Sequence, residues 1–300
     1  MEQIKFKRPQ LEDQELISEY FRRYPSRSCD RTFANVYLWA RYYNVEYALV
    51  DDVILFHNKG GDKCAFAYPA GAPEDVRKWI EKLLDNCQNA KDNFRLYSVT
   101  KEQFAQLEEW FPDKFEINYD RDIADYVYET EKLTTLAGKK LHGKRNHINK
   151  FKAAYENWEY EKITDENYEE CFQMALKWRQ MHQLEDDEEM INEIAVTQNS
   201  LRLMKELELT GGLLRVDGEI VAFTIGEPIN DDTFVVHIEK AFSEIQGAYP
   251  MINQQFVTHE CQDYKYINRE EDTGAPGLRK AKESYRPVFM VEKGTVTLKE

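Results

Sequence analysis

Apolar positions fall along this chain in short blocks of two periods. Residues 11–24 and 30–43 carry helical spacing. In the second block Phe33, Tyr37 and Ala40 recur at i, i+4, i+7, with Val36 and Trp39 beside them. VEYALVDD, VILFHN and CAFAYP then read as strands, separated by Asp-Asp and Lys-Gly-Gly-Asp turns. PEDVRKWIEKLLDNC returns to helical spacing. Pro73 stands near its first position, acids fill the first turn, and Val76, Ile80, Leu83 and Leu84 form the apolar stripe. FRLYSV predicts a strand, residues 100–111 a helix, and DYVYET another strand.

The second half opens on a long acidic helical region over 164–208. GGLLRVD and IVAFTIGEPI alternate on either side of Asp217-Gly218, a strong hairpin signal. DDTFVVHIEKA predicts a third strand, 249–262 a helix, and YKYIN a strand. The polar loop REEDTGAPG, a short helix LRKAKESY and the strands PVFMVEK and TVTLK follow. The first half shows a similar order of helices, consecutive strands, helix and strand. No residue-level repeat accompanies it, so a tandem duplication is inferred from element order alone. No acidic residue lies between Lys132 and Glu156, the sharpest compositional break in the chain. It sets the expected boundary near residue 135, giving domains 1–135 and 136–300.

Composition narrows the class. With 300 residues, 42% of them hydrophobic, the chain has ample material for a core and for about two domains. Its N-terminus lacks the apolar block of a signal peptide, and no stretch approaches the ~20 apolar residues of a membrane span. The five cysteines are odd in number, widely spaced and without a C-x-x-C pair. Neither a zinc site nor a disulfide framework is expected; reduced, mostly buried thiols in a cytoplasmic protein are. A net charge of −15 repels nucleic acid and anionic membrane, so either partner requires a local basic patch. One exists: Lys139–Lys152 holds six Lys/Arg and two His. As a helix it would bury Leu141, Ile148, Phe151 and Tyr155 and point Lys140, Lys144 and His147 outward in one row. With Arg145, these residues form a candidate polyanion site for tRNA or a phospholipid headgroup. The plain alternative is a solvated face balanced by acids after Glu161.

Polar chemistry concentrates at two strand ends. Asn268, Arg269, Glu270, Glu271 and Asp272 crowd a strand's C-terminal end just before a helix, a place suited to binding an anion or positioning an amine. His237 and Glu239 share a face of TFVVHIEK by alternation, an ionisable pair that could act as a base. Tyr285, at the end of the last helix, could protonate a leaving group, although tyrosines there more often pack with a solvated hydroxyl. Sharper motifs fail. G-x-x-x-x-G-K occurs at Gly138–Lys144, but Arg145 replaces the Ser/Thr that binds magnesium. His237-Ile238-Glu239 has the H-x-E of zinc deaminases without a following P-C-x-x-C. G-x-S-x-G, H-E-x-x-H and G-x-G-x-x-G are absent.

LAGKKLHGKRNHINKFK, GGLLRVDGEIVAFTIGE, FVVHIEKA…IQGAYPMINQQF and YINREEDTGAPGLRKAKESYRP together resemble a bacterial family grouped with the C-terminal domain of phosphatidylglycerol lysyltransferases. SCDRTFANVYLWARYY extends the resemblance over nearly the whole chain. It implies an α+β tandem GNAT-like (acyl-CoA N-acyltransferase) fold, with two mixed, mostly antiparallel sheets flanked by helices. The first half would be degenerate and the second would carry any chemistry. It also implies kinship with Fem-type aminoacyltransferases and transfer of an aminoacyl group from tRNA to a lipid or small-molecule amine or hydroxyl. In that fold the strands ending near Glu239 and Asn268 splay apart around the acyl donor. Glu239, Glu270, Asn268 and Tyr285 become the candidate catalytic residues, with Lys240, Arg269 and the Gln246-Gly247-Ala248-Tyr249 stretch as donor contacts. Two departures bear on the donor. Glu244 and Tyr249 stand where the acetyltransferase phosphate loop needs a cation or amide and a small residue, and Glu244 repels pyrophosphate. The membrane domain of the lysyltransferases is also missing. An acyl-CoA N-acyltransferase with an atypical phosphate loop, and a non-catalytic scaffold on a degenerate fold, are the competing readings. No metal is expected.

Overall fold

The computed structural model describes residues 4–59, 64–182 and 188–299. The chain begins with α1 (Gln14–Arg23), α2 (Phe33–Ala40), β1 (Val45–Val50), β2 (Val53–Asn58), β3 (Ala65–Ala67) and β4 (Ala70–Gly71). It continues through α3 (Pro73–Ala90), β5 (Arg95–Thr100), α4 (Lys101–Trp110), β6 (Phe115–Glu129), α5 (Thr130–Thr135), α6 (His142–Ala154) and β7 (Trp158–Lys162). Then come α7 (Tyr168–His182), α8 (Glu188–Arg202), β8 (Thr210–Val216), β9 (Glu219–Asn230) and β10 (Thr233–Ala241). The last elements are α9 (Ala248–Glu260), β11 (Tyr266–Asn268), α10 (Pro276–Glu283) and β12 (Phe289–Leu298).

Local chemistry explains most of these boundaries. In α3, Pro73 occupies the first turn with Glu74 and Asp75, and Val76, Ile80, Leu83, Leu84 and Cys87 are buried. Asp217 and Gly218 join Val216 to Glu219 as a two-residue loop, both with positive φ (50° and 85°), as a type I′ hairpin requires. The expected strands PVFMVEK and TVTLK merge into one strand, β12. Of the expected Lys-Gly-Gly-Asp turn, Gly60, Gly61 and Asp62 lie outside the described residues.

The chain divides into two units. One holds Met1–Asp125, Glu271–Ala275 and Met290–Glu300; the other holds Tyr126–Glu270 and Pro276–Phe289. The division falls between Asp125 and Tyr126 rather than near 135, and two later segments return to the first unit. Strand order is β1-β2-β3-β5-β12-β6-β11-β10-β9-β8-β7, with β4 on β2. The expectation of two separate sheets is corrected by β6. This 15-residue strand serves the first unit up to Asp125 and the second from Tyr126. In the first unit Leu55, Ile80, Leu83, Leu96 and Val296 are among the core residues between sheet and α3. In the second, Phe223, Phe234, Met251 and Phe256 are buried, each such side chain contributing roughly 2 kcal/mol.

The cysteine expectation is also corrected. Cys64 and Cys87 form a disulfide, which their 5.7 Å Cα separation allows, while Cys29, Cys171 and Cys261 are free and buried. Among the described residues no helix is long and apolar enough to cross a membrane.

Candidate functional site

The site belongs to the second unit and begins with a parting of strands. β10 and β11 run parallel and pair from Thr233↔Tyr266 to Val235↔Asn268. Beyond that point β10 follows β9 to Ala241, while Arg269 stays beside β6, its N–H donating to the Tyr126 carbonyl at 2.9 Å. A fork opens at the carboxyl ends of the two strands, where α/β folds place ligands.

Glu239 lies in this fork. Arg269 Nη2 donates to its Oε1 at 2.8 Å and Asn253 Nδ2, from α9, to its Oε2 at 3.0 Å. The carboxylate and guanidinium side chains are 12% and 10% exposed, so each charge depends on the other. Burial opposes the charge on Arg269, but Glu239 together with Tyr285 and Tyr128 outweighs it, and the guanidinium is held more firmly protonated. The guanidinium lies 4.8 Å from the Tyr285 ring and 5.8 Å from that of Tyr128. Burial raises both phenols above their ordinary range, leaving two neutral hydroxyls. Two polar atoms here are buried and have no partner: the donor Arg269 Nη1 and the acceptor Asn253 Oδ1. An unsatisfied buried group costs about 1–3 kcal/mol, so a donor and an acceptor flanking one carboxylate suit a polar ligand.

The neighbouring positions have other partners. The register of β10 shifts between Val236 and Ile238, so His237 is a bulge residue and simple alternation with Glu239 fails. The expected His237–Glu239 pair is not formed. His237 Nδ1 meets Glu270 at 2.7 Å and Nε2 meets Glu227 at 3.0 Å. Burial opposes protonation, but the two carboxylates prevail and push the ring to about 10, so His237 is a bridging imidazolium rather than a base. Asn268 is fully buried and its Oδ1 accepts the Glu270 N–H at 2.7 Å. This Asx contact supports Glu270 at its left-handed φ of 55°. Glu271 and Asp272 fall in the other unit, where Asp272 Oδ2 stands 3.5 Å from Arg121.

Lys240 is turned away from the fork: it pairs with Glu193 and lies 4.1 Å over the Trp178 ring. Gln246 is exposed, and Gly247 starts α9 at φ 87°. A Cβ on Gly247 would meet the His147 carbonyl at 2.5 Å, so α6 crosses the start of α9 closely. Ala248 is buried and Tyr249 half-buried.

In α6, Leu141, Ile148 and Phe151 are buried as the spacing predicts, with Tyr155 half-buried. The single outward basic row is corrected. Lys140 and His147 are exposed, but Lys144 leans inward with Nζ 3.9 Å over the Tyr285 ring. Burial, then the Arg269 charge, lowers Lys144 to about 8, with Glu239 opposing. Arg145 is engaged elsewhere, donating to the carbonyls of Leu136 and Gly138. Asn253, Tyr128 and Glu227 were not among the sequence candidates. Asn253 left a readable trace, as an asparagine within the buried stripe of Met251, Ile252, Phe256 and Val257.

A second cluster stands in the first unit. Ligand atoms of Cys29, Asp125 and Glu271 lie within 4.8 Å of one another. Lys293 Nζ sits among them, 2.8 Å from Asp125, 3.3 Å from Asp30 and 3.5 Å from Cys29 Sγ. Burial and Asp125 push the thiol pKa well up. The ammonium supplies the cation that these groups need, so they do not fit a metal ion.

The fold is α+β and tandem GNAT-like, with the fork in its second unit. Residues 21–295 match the family described as phosphatidylglycerol lysyltransferase, C-terminal, and the chain belongs to that family. A conserved protein of unknown function from Bacteroides thetaiotaomicron is 40% identical, with 99% of this chain and 100% of that one covered at a TM-score of 0.92. L-PGS from Bacillus licheniformis shares 16% identity over 96% of this chain and 92% of that one, at a TM-score of 0.65. FemX shares 8% over 98% and 97%, at a TM-score of 0.51, a likeness of fold alone.

Proposed function

We propose that this protein transfers an aminoacyl group, lysyl first among the candidates, from charged tRNA to an amine or hydroxyl acceptor. The observation that carries the reading is the buried Glu239–Arg269 pair at the fork, with Arg269 Nη1 and Asn253 Oδ1 free to meet a ligand. An aminoacyl ester offers a carbonyl oxygen to the first and an ammonium to the second. The acceptor nitrogen or oxygen attacks the ester carbon, and its proton passes to Glu239. Arg269 stabilises the developing oxyanion. The ester C–O bond then breaks, and Tyr285, held neutral by burial, protonates the departing ribose oxygen. Glu270, tied to His237, and Asn268 shape the loop and are positioning residues in this scheme. The first unit is read as a degenerate GNAT-like half without chemistry, in a cytoplasmic protein. Lys140 and His147 would face tRNA or, second, a phospholipid headgroup.

Acyl-coenzyme A is the weaker donor. The acetyltransferase phosphate loop corresponds to Glu244–Tyr249, and the backbone of His147 already lies against Gly247 there. The test is transfer by the purified chain from tRNA charged with labelled lysine, or with other amino acids, to phosphatidylglycerol vesicles and soluble amines. Wild type should form a stable labelled product, and Glu239→Gln and Arg269→Lys should slow it by about 100-fold or more. No transfer from any charged tRNA would favour the scaffold reading. A melting-temperature rise with coenzyme A alone would favour the acyl-CoA one.

A further inference from the structure

Cys29 and Lys293 meet inside the first unit although they are 264 positions apart in sequence. Cys29 opens a single helical turn, Cys29–Arg31, just before α2, and Lys293 lies in β12. Both are buried, at 1% and 2% exposure. Asp125, fully buried on β6, holds them together. Its Oδ2 accepts the Cys29 backbone N–H at 2.9 Å. Its Oδ1 accepts the thiol at 3.2 Å and the Lys293 ammonium at 2.8 Å. One carboxylate oxygen therefore touches both side chains, and Sγ and Nζ are left 3.5 Å apart. Glu271 Oε2 lies 3.4 Å from Sγ and 3.8 Å from Nζ, and Asp30 Oδ2 lies 3.3 Å from Nζ.

Ion pairing accounts for the lysine but not for the thiol. Three carboxylates already balance one ammonium, and a thiol is a weak hydrogen-bonding group that adds little to them. A cysteine that serves packing acts as a small hydrophobe. This sulfur instead has polar atoms of Asp125, Glu271 and Lys293 within 3.5 Å. Burial first, then Asp125, keep the thiol protonated, so it is not poised as a free thiolate. What the arrangement favours is a reaction between the two side chains themselves. Their separation is too long for a direct S–N bond and close to what one bridging oxygen spans. The Asp30 and Glu271 side chains are 42% and 28% exposed, so water and small oxidants come within one residue of the pair.

We propose that Cys29 and Lys293 form an oxidative crosslinking site, joined by hydrogen peroxide through a single oxygen into an Sγ–O–Nζ bridge. In the first step Sγ attacks one peroxide oxygen and the O–O bond breaks. The thiol proton leaves with the departing hydroxide as water, and sulfur, two electrons poorer, becomes a sulfenic acid. In the second step Lys293 passes its ammonium proton to Asp125. A second peroxide takes two electrons from the amine as nitrogen bonds to the sulfenic oxygen. The sulfenic hydrogen and one N–H hydrogen end in two further waters. Four electrons from a dithiol reverse the sequence, returning thiol and amine and releasing the bridging oxygen as water. The bridge ties the segment before α2 to the last strand, so it constrains the unfolded chain over most of its length. The assignment lies outside the fork and stands without the transfer reading.

Peroxide treatment of the purified full chain, followed by digestion and mass spectrometry, tests it. A peptide pair holding Cys29 and Lys293 should appear, about 14 Da heavier than its two parts, for one oxygen gained and two hydrogens lost. Dithiothreitol should separate the pair. The melting temperature of the treated wild type should rise by roughly 5 °C or more, and dithiothreitol should undo the rise. Cys29→Ser should show neither the pair nor the rise. Lys293→Arg keeps a cation beside Asp125 without the amine, so its Cys29 should be oxidised yet remain uncoupled. A chain carrying Cys171→Ser and Cys261→Ser should crosslink as wild type does. The proposal is overturned if peroxide leaves Cys29 and Lys293 in separate peptides, whether the sulfur stays a thiol or goes on to sulfinic acid. It is overturned equally if treated Cys29→Ser gains the same melting temperature as treated wild type.

Discussion

His237 has a carboxylate on each ring nitrogen, and that arrangement has a definite pH signature. Its folded pKa of about 10 lies above the ordinary 6.5, so the folded state holds a proton that the unfolded chain releases. The stabilisation is complete below about pH 6.5 and is lost as pH rises towards 10. Nitrogen NMR should find an imidazolium at pH 8, and His237→Gln should cost about 3 kcal/mol at neutral pH by stranding two buried carboxylates. Lys144 runs the other way. Its folded pKa of about 8 is below 10.5, so the folded state sheds its proton first and stability rises with pH across that interval. The groups around it are Arg269, Glu239 and Tyr285 at the fork, and Lys140, His147, Lys280 and Arg286 along the open groove between α6 and α10. Lys144→Met should raise stability by about 1–3 kcal/mol in chemical denaturation at pH 7. At this scale the sequence was only partly legible. Glu239 and Arg269 could be named from their strand ends. The inward turn of Lys144 could not, because helical periodicity cannot say which neighbour a side chain meets.

The elements were more legible, and their failures share a cause. The Asp217-Gly218 hairpin, the Pro73 helix start and the buried stripe of α6 all rest on contacts within a few residues. The bulge at His237 rests on pairing with β9, and the merging of the last two apolar stretches into β12 rests on neighbours far away in sequence. One such long-range demand is sharply measurable. A Cβ on Gly226 would come within 2.0 Å of the Val235 carbonyl on the adjoining strand. Gly226→Ala should therefore cost about 3 kcal/mol, seen as a lower midpoint in urea. An unchanged midpoint would mean that β9 and β10 are not packed so closely.

For the whole molecule, element order supported the paired α+β organisation, but composition misplaced the boundary between the units. The acid-free stretch after Lys132 marks a change in surface charge, whereas the units divide by core contacts, at Asp125. β12 makes the consequence concrete. It lies between β5 and β6 in the strand order, and its Lys293 is the buried cation beside Asp30 and Asp125. Ending the chain after Phe289 should strip hydrogen-exchange protection from β5 and from the first part of β6, while β8, β9 and β10 keep theirs. Equal loss in all of them would mean that the units fold as one. Synthesis reaches β12 after β5 and β6, so a nascent chain exposes β5 and buries no cation beside Asp125 until β12 clears the ribosome. The unit that holds α1 is then closed only after all of the other has been made, and a holdase chaperone would find its substrate between α1 and Asp125.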